Sequence, residues 1–522
     1  LVFHTKHTHM QHIQGEDRNQ MFMFSLENAI APDSFVRIVD AFVDAIDLKS
    51  FGFAHVECEE EGRPPYPPSA LLKLYLYGYR YGIRTTRKLE REAKTNIEAM
   101  WLLSGLRPKY KTISDFRRNH SKAFHEVFRR FVCLLKEWNL IEGETVAIDS
   151  FKIRGSNSLK NNFNENKLNR HLEYIEKQIH EYETFLDTND KEEERKKGSG
   201  EKDTERKEKH SRYEQIKTDL IESGQEQISL TDPDSRSVIL HKNIINVGYN
   251  IQSSSDAKHK LLVEYDTGDV NDTHALGSMA IQTKELLGVE SMKVLADKGY
   301  HTGEELEQCH VNDIITFVSP KAPSTKDEGL YPHASFVFDK DNNVYTCPQG
   351  QRMTTNRTWH THSDKQRNSK GAYRFQRYNT PACKTCTKKH LCTKSMMNGR
   401  YIDRSEYAEV IEANAQRVNQ NPDYYRQRQQ ITEHPFGTLK RQRGFTHSLV
   451  RKKEKVLGEV GLMFIGYNLS RCVSILGASH LIKALKECYL LHLHLLDMAI
   501  LSLFGYLKNE CGKNLRLATP KN

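Results

Sequence analysis

Two aspartates directly follow short apolar runs, a setting in which an acidic side chain could take part in chemistry. Asp149 follows residues 146–148 (Val-Ala-Ile), and Asp297 follows residues 294–296 (Val-Leu-Ala). Apolar runs of this length are typical of buried strands, and open α/β sheets bind ligands where such strands end. One aspartate after a strand is more often a turn former or a helix N-cap, but two in the same setting favour a shared site.

The chemistry open to such a site is metal-assisted transfer at phosphorus. Carboxylates on neighbouring strands can hold two divalent cations about 3.5–4 Å apart, which suits phosphodiester cleavage. A third acid is then expected on a helix packed against the sheet. The candidate is Glu433, which shares a predicted helix face with Phe436, Leu439 and Lys440. Considered alone, Glu433 would be an ordinary surface acid.

Four of the ten cysteines form a second group that could bind a metal. They are Cys347, Cys383, Cys386 and Cys392, and the middle two form a CxxC pair. Four thiolates can close a tetrahedral structural Zn²⁺ site, and His390 could replace one ligand. The alternatives are free thiols or a lost site. Catalytic zinc is disfavoured because four protein ligands leave no open position for water.

The elements that must position these residues divide the 522-residue chain into several regions. Helical patterns follow a Pro-rich breaker at 62–69, with a second helix from Thr85 or Thr86 and a third capped by Ser114. Strand patterns occupy 235–268, and a helix is predicted for 274–289. The predicted divisions are a flexible tail (1–20), an all-α domain (21–140), an α/β catalytic domain (141–475) and a helical tail (476–522).

Two insertions are predicted within the catalytic domain. Residues 160–225 carry apolar side chains at alternating spacings of four and three, which predicts a coiled-coil helical hairpin. The apolar residues are Leu168, Leu172, Ile175, Ile179, Tyr182 and Leu186, with Tyr213, Ile216 and Leu220 on the returning helix. The second insertion, 330–400, contains the four cysteines and is predicted to be a small β-rich module.

In their order along the chain, these motifs resemble the DDE transposases of bacterial insertion sequences, in the branch with an InsH-like helical N-terminal domain. The resemblance runs from about Phe24 through "TISDFRRNH", "VAIDSFKIRGSNS", "VLADKGYHTGEEL" and "EHPFGTLKRQRGF" to "GLMFIGYNLSR". It implies an RNase H-like mixed sheet flanked by helices. It also implies that Asp149, Asp297 and Glu433 are the catalytic acids and bind two Mg²⁺ or Mn²⁺ ions.

One signature departs from the family pattern. Related transposases place the last acid in a tyrosine, arginine, glutamate and lysine series with two, three and six intervening residues. Tyr425, Arg428, Glu433 and Lys440 keep the first and last spacings, but four residues separate Arg428 from Glu433. Asp232 and Asp234 in "TDPDSR" also resemble family residues, and we interpret them as turn formers rather than ligands.

The basic residues favour DNA as the partner. The net charge is +9. Between Lys440 and Lys455 there are seven Lys or Arg residues and one acid, Glu454, an excess that suits the DNA backbone. A solvated helix end would also explain such a run. Near the acids, the predicted phosphate contacts are Arg428, Lys440, Arg441 and Arg443. In the N-terminal helices, they are Arg117 and Arg118, together with Arg84, Arg87 and Lys88. Those helices could equally form a dimerisation bundle.

The sequence thus predicts an enzyme that binds the ends of its own element, cleaves a phosphodiester and transfers the freed 3′-OH to target DNA, as a homodimer or larger synaptic complex. A catalytically decayed DNA-binding relative is the alternative, and a zinc-dependent hydrolase ranks last.

We expect a cytoplasmic, nucleoid-associated protein because no signal-peptide pattern precedes Met21. The chain begins at Leu1, so an unusual start codon or a truncation is expected. The apolar segment from Cys488 is predicted to be a buried or partner-binding helix rather than a membrane span.

Overall fold

A computed structural model describes residues 25–58, 64–188, 199–241, 244–268, 270–321, 329–362 and 373–488, together with Asn19 and Met23. The predicted tail 1–20 and most of the segment that begins at Cys488 lie outside these ranges. The helices of the described residues are α1 (Phe35–Asp44), α2 (Pro68–Arg80), α3 (Thr86–Thr95), α4 (Ile97–Leu102), α5 (Tyr110–Asn119), α6 (Ser121–Glu137), α7 (Glu165–Thr188), α8 (Ser199–Glu222), α9 (Leu276–Leu287), α10 (Gly303–Val311), α11 (Ala408–Gln420), α12 (Pro422–Gly437) and α13 (Lys453–Leu476).

The N-terminal helices α1–α6 divide this part of the chain more finely than the three helices predicted from the sequence. Asn96 ends α3 and caps α4, because its side chain accepts hydrogen bonds from the backbone N–H groups of Glu98 and Ala99. The prediction that Ser114 caps the third helix is wrong, since Ser114 lies inside α5. The chain instead breaks at His120, whose imidazole bonds the carbonyl of Phe116 and the N–H of Ala54.

Two sheets of different size and a separate two-stranded sheet follow along the chain. The strands are β1 (Thr145–Arg154), β2 (Asn162–Phe163), β3 (Ile228–Ser229), β4 (Arg236–His241), β5 (Ile244–Asp256), β6 (Leu262–Thr267), β7 (Met292–Ala296), β8 (Ile314–Val318), β9 (Val337–Asp339), β10 (Val344–Thr346), β11 (Arg352–His362), β12 (Tyr373–Asn379) and β13 (Ile402–Ser405). The larger sheet is mixed: β4 and β6 pair with β5, β5 runs antiparallel to β1, and β1, β7 and β8 are parallel. The smaller sheet has the order β13-β12-β11-β10-β9 and is antiparallel throughout.

The larger sheet corrects the predicted position of Asp149. This residue is the fifth of the ten residues of β1, so the strand continues past the acid instead of ending before it. The reason is the partner strand: β5 stays paired with β1 as far as Arg154, where Arg154 lies opposite Gly248. Asp297 does lie where predicted, directly after β7.

Helix α13 joins the N-terminal helices to the larger sheet in one apolar core. It packs against α2, α6 and β6, and most of its side chains between Val456 and Leu469 are buried. A buried ion cluster lies at this junction, where Glu459 accepts hydrogen bonds from Arg84 and from the hydroxyl of Tyr79. Loss of one partner from a buried cluster of this kind typically costs about 3–5 kcal/mol.

Two long helices lie in residues 160–225, and strands β9–β12 lie in residues 330–400. Helices α7 and α8 pack against each other, and their base buries Phe163, Leu168, Ile216 and Leu220 together. The hairpin tip, 189–198, and the side chain of Leu186 lie outside the described part of the chain. Strands β9–β13 enclose a separate small core that includes Tyr345, Met353 and Tyr378.

Within the described ranges no single helix is long and apolar enough to cross a membrane. Lys453–Leu476 and Ala478–Cys488 together reach the required length and composition as a pair bent by 116°.

Candidate active site

Parallel pairing of β1 with β7 brings Asp149 and Asp297 together. Val146 lies opposite Val294 and Ala147 opposite Leu295, and the same register continued by two residues places Asp149 beside Asp297. Burial raises the pKa of the Asp149 carboxyl, and the negative charge of Asp297 raises it further. The structure therefore joins two of the three predicted acids through strand pairing.

Each of these carboxylates is held by a nearby backbone N–H group. Asp149 Oδ1 accepts from Ser150 N at 2.8 Å, and Asp297 Oδ1 accepts from Gly299 N at 2.7 Å. A Cβ atom at Gly299 would lie only 2.9 Å from Asp297 Oδ1, which is closer than real Cβ contacts. The absence of a side chain at Gly299 thus keeps this face of the carboxylate open.

Helix α12 covers the acids with its inward face. Arg428 Nη1 donates to Asp149 Oδ2 at 3.1 Å. The hydroxyl of Thr432 donates to the carbonyl of Arg428 at 3.2 Å and lies close enough to the Asp149 carboxylate to oppose the rise in its pKa. Tyr425 donates from its hydroxyl to the carbonyl of Ala296 at 3.2 Å. Tyr425, Arg428 and Thr432 are separated by three and then four residues along the chain, so they lie on one face of the helix.

Glu433 is not part of this inward face. Its side chain is exposed, and Glu433 Oε1 accepts a hydrogen bond from Gln429 at 2.7 Å. Thr432 occupies the position four residues after Arg428, so Glu433 is rotated from it by roughly 100° around the helix. The additional residue in the signature therefore has a structural consequence, because a glutamate with three intervening residues after the arginine would stand at the position of Thr432.

Lysine side chains reach the same end of β1. Lys440 lies in a π-helical turn at 438–442, where its Nζ is 5.5 Å from the centre of the Phe151 ring. Burial lowers the pKa of Lys440, and the charge of Lys152 lowers it further, whereas Asp149 raises it. Both the position and the electrostatics of Lys440 suit an anion that is brought to Asp149.

The sequence interpretation missed Asp272, an acid in the loop between β6 and α9. Its Oδ1 accepts from the amides of Asn250 at 2.8 Å and Gln252 at 2.7 Å, and its Oδ2 lies 3.8 Å from Lys152 Nζ. A Cβ atom added to Gly299 would lie 3.7 Å from Asp272 Oδ2, so Asp272 and Asp297 both face this glycine. No apolar run precedes Asp272 in the sequence, and nothing distinguished it from an acid in an ordinary loop.

Two of the predicted DNA contacts are buried and bonded inside the protein. Arg117 donates to the hydroxyl of Tyr79 at 3.2 Å, and Arg443 donates to Ser470 Oγ at 2.8 Å. Arg84, a further predicted contact, is buried against Glu459. The buried positions of these arginines do not suit phosphate contacts. Arg118 and Arg441 are exposed, as a backbone contact requires.

Asp232 and Asp234 lie away from the acid pair and hold the chain before α13. Asp232 accepts from Lys452 N at 2.9 Å and from the Tyr249 hydroxyl at 2.7 Å. Asp234 accepts from Lys453 N at 2.7 Å. Both contacts agree with a structural role at a turn.

The predicted cysteine group also comes together in space. Cys347, Cys383, Cys386 and Cys392 line one cavity of about 20 Å³ in the small β module. Burial raises the pKa of Cys392, and the other three thiols raise it further. His390 is exposed and does not line this cavity.

The chemistry of the donors, rather than their present spacing, fits metal ions. Carboxylate oxygens suit Mg²⁺ or Mn²⁺, and thiolates suit Zn²⁺. Among the described residues, however, no three His, Cys, Asp or Glu side chains are arranged so that they could hold an ion as they stand. At the acid pair, Arg428 occupies one oxygen of Asp149, and Glu433 points elsewhere.

Comparison with known proteins identifies two transposase domains in the chain. A transposase domain of the DUF772 family matches residues 24–119, and a transposase DDE domain matches residues 346–473. The second match contains Glu433, whereas Asp149 and Asp297 lie outside both matched ranges. No curated protein matches the sequence.

Among solved structures, a piggyBac transposase synaptic complex with hairpin DNA aligns with 9% identity over 87% of this chain and 78% of that one, at a TM-score of 0.30. The two domain matches, each to a transposase family, support a transposase of the DDE type.

Proposed function

We propose that this transposase binds the ends of its own element, hydrolyses a phosphodiester there and joins the freed 3′ end to target DNA, acting at the nucleoid in the cytoplasm. The observation that carries the proposal is the adjacency of Asp149 and Asp297 across β1 and β7. An RNase H-like interpretation of the mixed sheet agrees with this placement. Double-stranded DNA is the proposed partner, and a homodimer or larger complex would bring two ends together.

Asp149 and Asp297 would hold the divalent cation, Mg²⁺ or Mn²⁺, and Asp272 is a further carboxylate at the same end of the sheet. When bound, such a cation supplies Lewis acidity to the attacking and leaving oxygens. In the first reaction a water oxygen bonds to phosphorus, the bond from phosphorus to the 3′ oxygen breaks, and that oxygen leaves as a 3′-OH. In the second reaction this hydroxyl oxygen bonds to a target phosphorus, and the target 3′ oxygen leaves.

The chain's own cations would position the phosphate in both reactions. Arg428 is paired with Asp149 through a contact whose two side chains remain about one-fifth exposed, 22% and 23%, so DNA can reach it. A phosphate at this place would accept hydrogen bonds from Arg428, and Lys440 would gain a second anionic neighbour beside Asp149. Arg428 would thus exchange a carboxylate for a phosphate as DNA and the cation enter.

Glu433 would join the acid pair only after a change in α12. Bringing its carboxylate to the position of Thr432 requires a rotation of roughly 100°, equal to one residue of helix. The π-helical turn at 438–442 lies directly after α12, and a π turn accommodates one extra residue. Movement of this turn toward Arg428 would supply the rotation, so we assign Glu433 to the DNA-bound state.

The test is cleavage of DNA that carries the sequences flanking the gene, in the presence of Mg²⁺. Asp149→Asn should lower the cleavage rate by at least about a hundredfold, the scale of losing preorganised charge at a reacting centre, while DNA binding stays within a few-fold. Asp423→Asn is the matched control, because Asp423 lies exposed at the start of α12 and pairs with Arg426. Undiminished cutting by Asp149→Asn would remove this residue from the site. Binding without cutting by the unmodified chain would favour the catalytically decayed alternative.

A further inference from the structure

The small β module contains four thiols that line one small cavity. Cys347, Cys383, Cys386 and Cys392 line the same cavity of about 20 Å³, a volume close to that of a single small ion or water molecule. All four are free thiols, and none of the described cysteines forms a disulfide. A cavity lined by four sulfur atoms of unbonded cysteines is unusual for a core that relies on apolar packing alone.

Tight turns place these thiols around the cavity. Cys347 follows β10, and its carbonyl accepts from Gly350 N at 2.8 Å in a turn that requires the positive φ of Gly350, +73°. Cys383 lies in the 3₁₀ turn at 381–384, and Cys392 follows the 3₁₀ turn at 389–391. Gly399 packs against Cys383 so closely that a Cβ on Gly399 would lie 2.5 Å from that of Cys383. The backbone is therefore shaped around the sulfur atoms.

The module has too small a core to explain its order by apolar burial alone. Its buried cluster consists of Phe336, Tyr345, Met353, Tyr378, Cys392 and Ile402. Domains with few buried residues generally need a disulfide or a metal ion as an additional constraint. Four thiols around one cavity are the ligand set that favours a metal ion as this constraint.

We propose that these four cysteines bind one Zn²⁺ ion that stabilises the β module. On binding, each thiol loses its proton to solvent, and each thiolate donates an electron pair to the ion with no change of oxidation state. The four cysteines would move closer together on binding, and the turns that carry them would tighten around the site. The resulting centre carries two negative charges, and Lys389 and Arg400 line the same cavity to offset them.

The zinc site is structural rather than catalytic. Four thiolates complete the tetrahedral shell and leave no position for water. The site is separate from Asp149 and Asp297, which belong to the larger sheet. Zinc binding can therefore be tested without any DNA substrate, and its failure would leave the proposed cleavage chemistry untouched.

The experiment measures metal content of the full-length chain by mass spectrometry after removal of loosely bound ions. We expect about one zinc per chain, loss of that zinc in the Cys383→Ser, Cys386→Ser double variant, and full retention in Cys58→Ser, where the exposed Cys58 lies outside the cluster. Cys386→His should restore binding that Cys386→Ser loses, because imidazole is also a zinc ligand.

Cobalt substitution keeps the proposal falsifiable even if the double variant unfolds. Co²⁺ added to the metal-free native chain should give the sulfur-to-cobalt charge-transfer absorption of a thiolate site and tetrahedral d–d bands, both displaced by Zn²⁺. A folded native chain that holds no zinc and shows neither absorption would overturn the proposal. Equal loss of zinc from Cys58→Ser would also overturn it.

Discussion

The acid pair of the larger sheet and the thiol group of the small module are two candidate metal-binding regions built in different ways. Asp149 and Asp297 are distant in sequence and meet only because β1 and β7 pair in parallel. Three of the four cysteines lie within one short segment, and turns bring them together. The acids are accompanied by Arg428, which can leave them, whereas the thiols form a closed set. The first region is suited to exchange its partners, and the second to keep one.

The largest difference between the two regions should appear in cleavage. Asp297→Asn should lower the rate by at least about a hundredfold while the thermal midpoint changes little, because the side chain holds charge at the surface of the site. The Cys383→Ser, Cys386→Ser variant should show the opposite pattern, with a clear fall in thermal midpoint. Cleavage assays and thermal scans on both variants check this. Equal stability losses in the two variants would remove the distinction between the regions.

Glu433→Gln should separate the free protein from its DNA-bound state. We expect cleavage to fall by about a hundredfold, as for loss of a charged group at the reacting centre. The affinity of the free protein for Mn²⁺ should stay unchanged, because Glu433 contacts Gln429 and not the acid pair. Calorimetric titration with Mn²⁺ measures this affinity. If Glu433→Gln lost as much Mn²⁺ affinity as Asp297→Asn, Glu433 would already lie beside the acid pair in the absence of DNA.

Asp272→Asn should have a smaller effect on the same titration. A carboxylate beside the ligands of a metal typically affects affinity by about tenfold or somewhat more. Asp266→Asn is a suitable control, since Asp266 belongs to the same sheet edge but pairs with Lys453. If Asp272→Asn bound Mn²⁺ as tightly as the wild type, the role of Asp272 would be to hold the amides of Asn250 and Gln252 rather than to assist the cation.

The smallest expected effect is a shift in pH dependence. The pKa of Asp149 is raised by burial and by Asp297, so its carboxyl takes up a proton at a higher pH than an ordinary aspartate, whose pKa is 3.8. Because the protonated form binds cations poorly, Mn²⁺ affinity should decline as the pH falls through this raised pKa.

Without a bound cation, pH has the opposite effect on the folding stability that Asp149 contributes. A raised carboxyl pKa means that the folded state binds the proton more tightly, so the contribution of Asp149 to stability declines as the pH rises from 3.8 through the raised value. Thermal midpoints of metal-free protein across this range, compared with Asp149→Asn, measure that contribution. A decline of equal size in the variant would show that other groups cause it.

Much of the fold followed from local patterns in the sequence. The apolar runs before Asp149 and Asp297 predicted β1 and β7, and the regular apolar spacing predicted the helical hairpin. The length of β1 could not be predicted this way, because the strand continues through Asp149 only by virtue of its pairing with β5. Strand ends depend on partners that a local pattern does not contain.

The site was predicted in part for similar physical reasons. Convergence of Asp149 and Asp297 follows from parallel pairing, which alternating helices and strands favour. Glu433 was assigned by its predicted helix face and by the family signature, but four residues separate it from Arg428, and the structure turns it away from the acid pair. Arg117 was assigned to DNA from the basic N-terminal helices and Arg443 from the basic run at 440–455, but Tyr79 and Ser470 bind them inside the protein. Burial of a charge depends on partners elsewhere in the chain.

Binding of Mn²⁺ to the free protein is the decisive measurement for the acid pair, because it requires neither the element ends nor the movement of Glu433. Electron paramagnetic resonance of Mn²⁺ titrated into the wild type, Asp149→Asn, Asp297→Asn and the Asp423→Asn control would measure the bound fraction. We predict a shared site that is lost in both Asp149→Asn and Asp297→Asn and retained in the control. Wild-type binding in both of these variants would show that the two carboxylates do not hold the cation together.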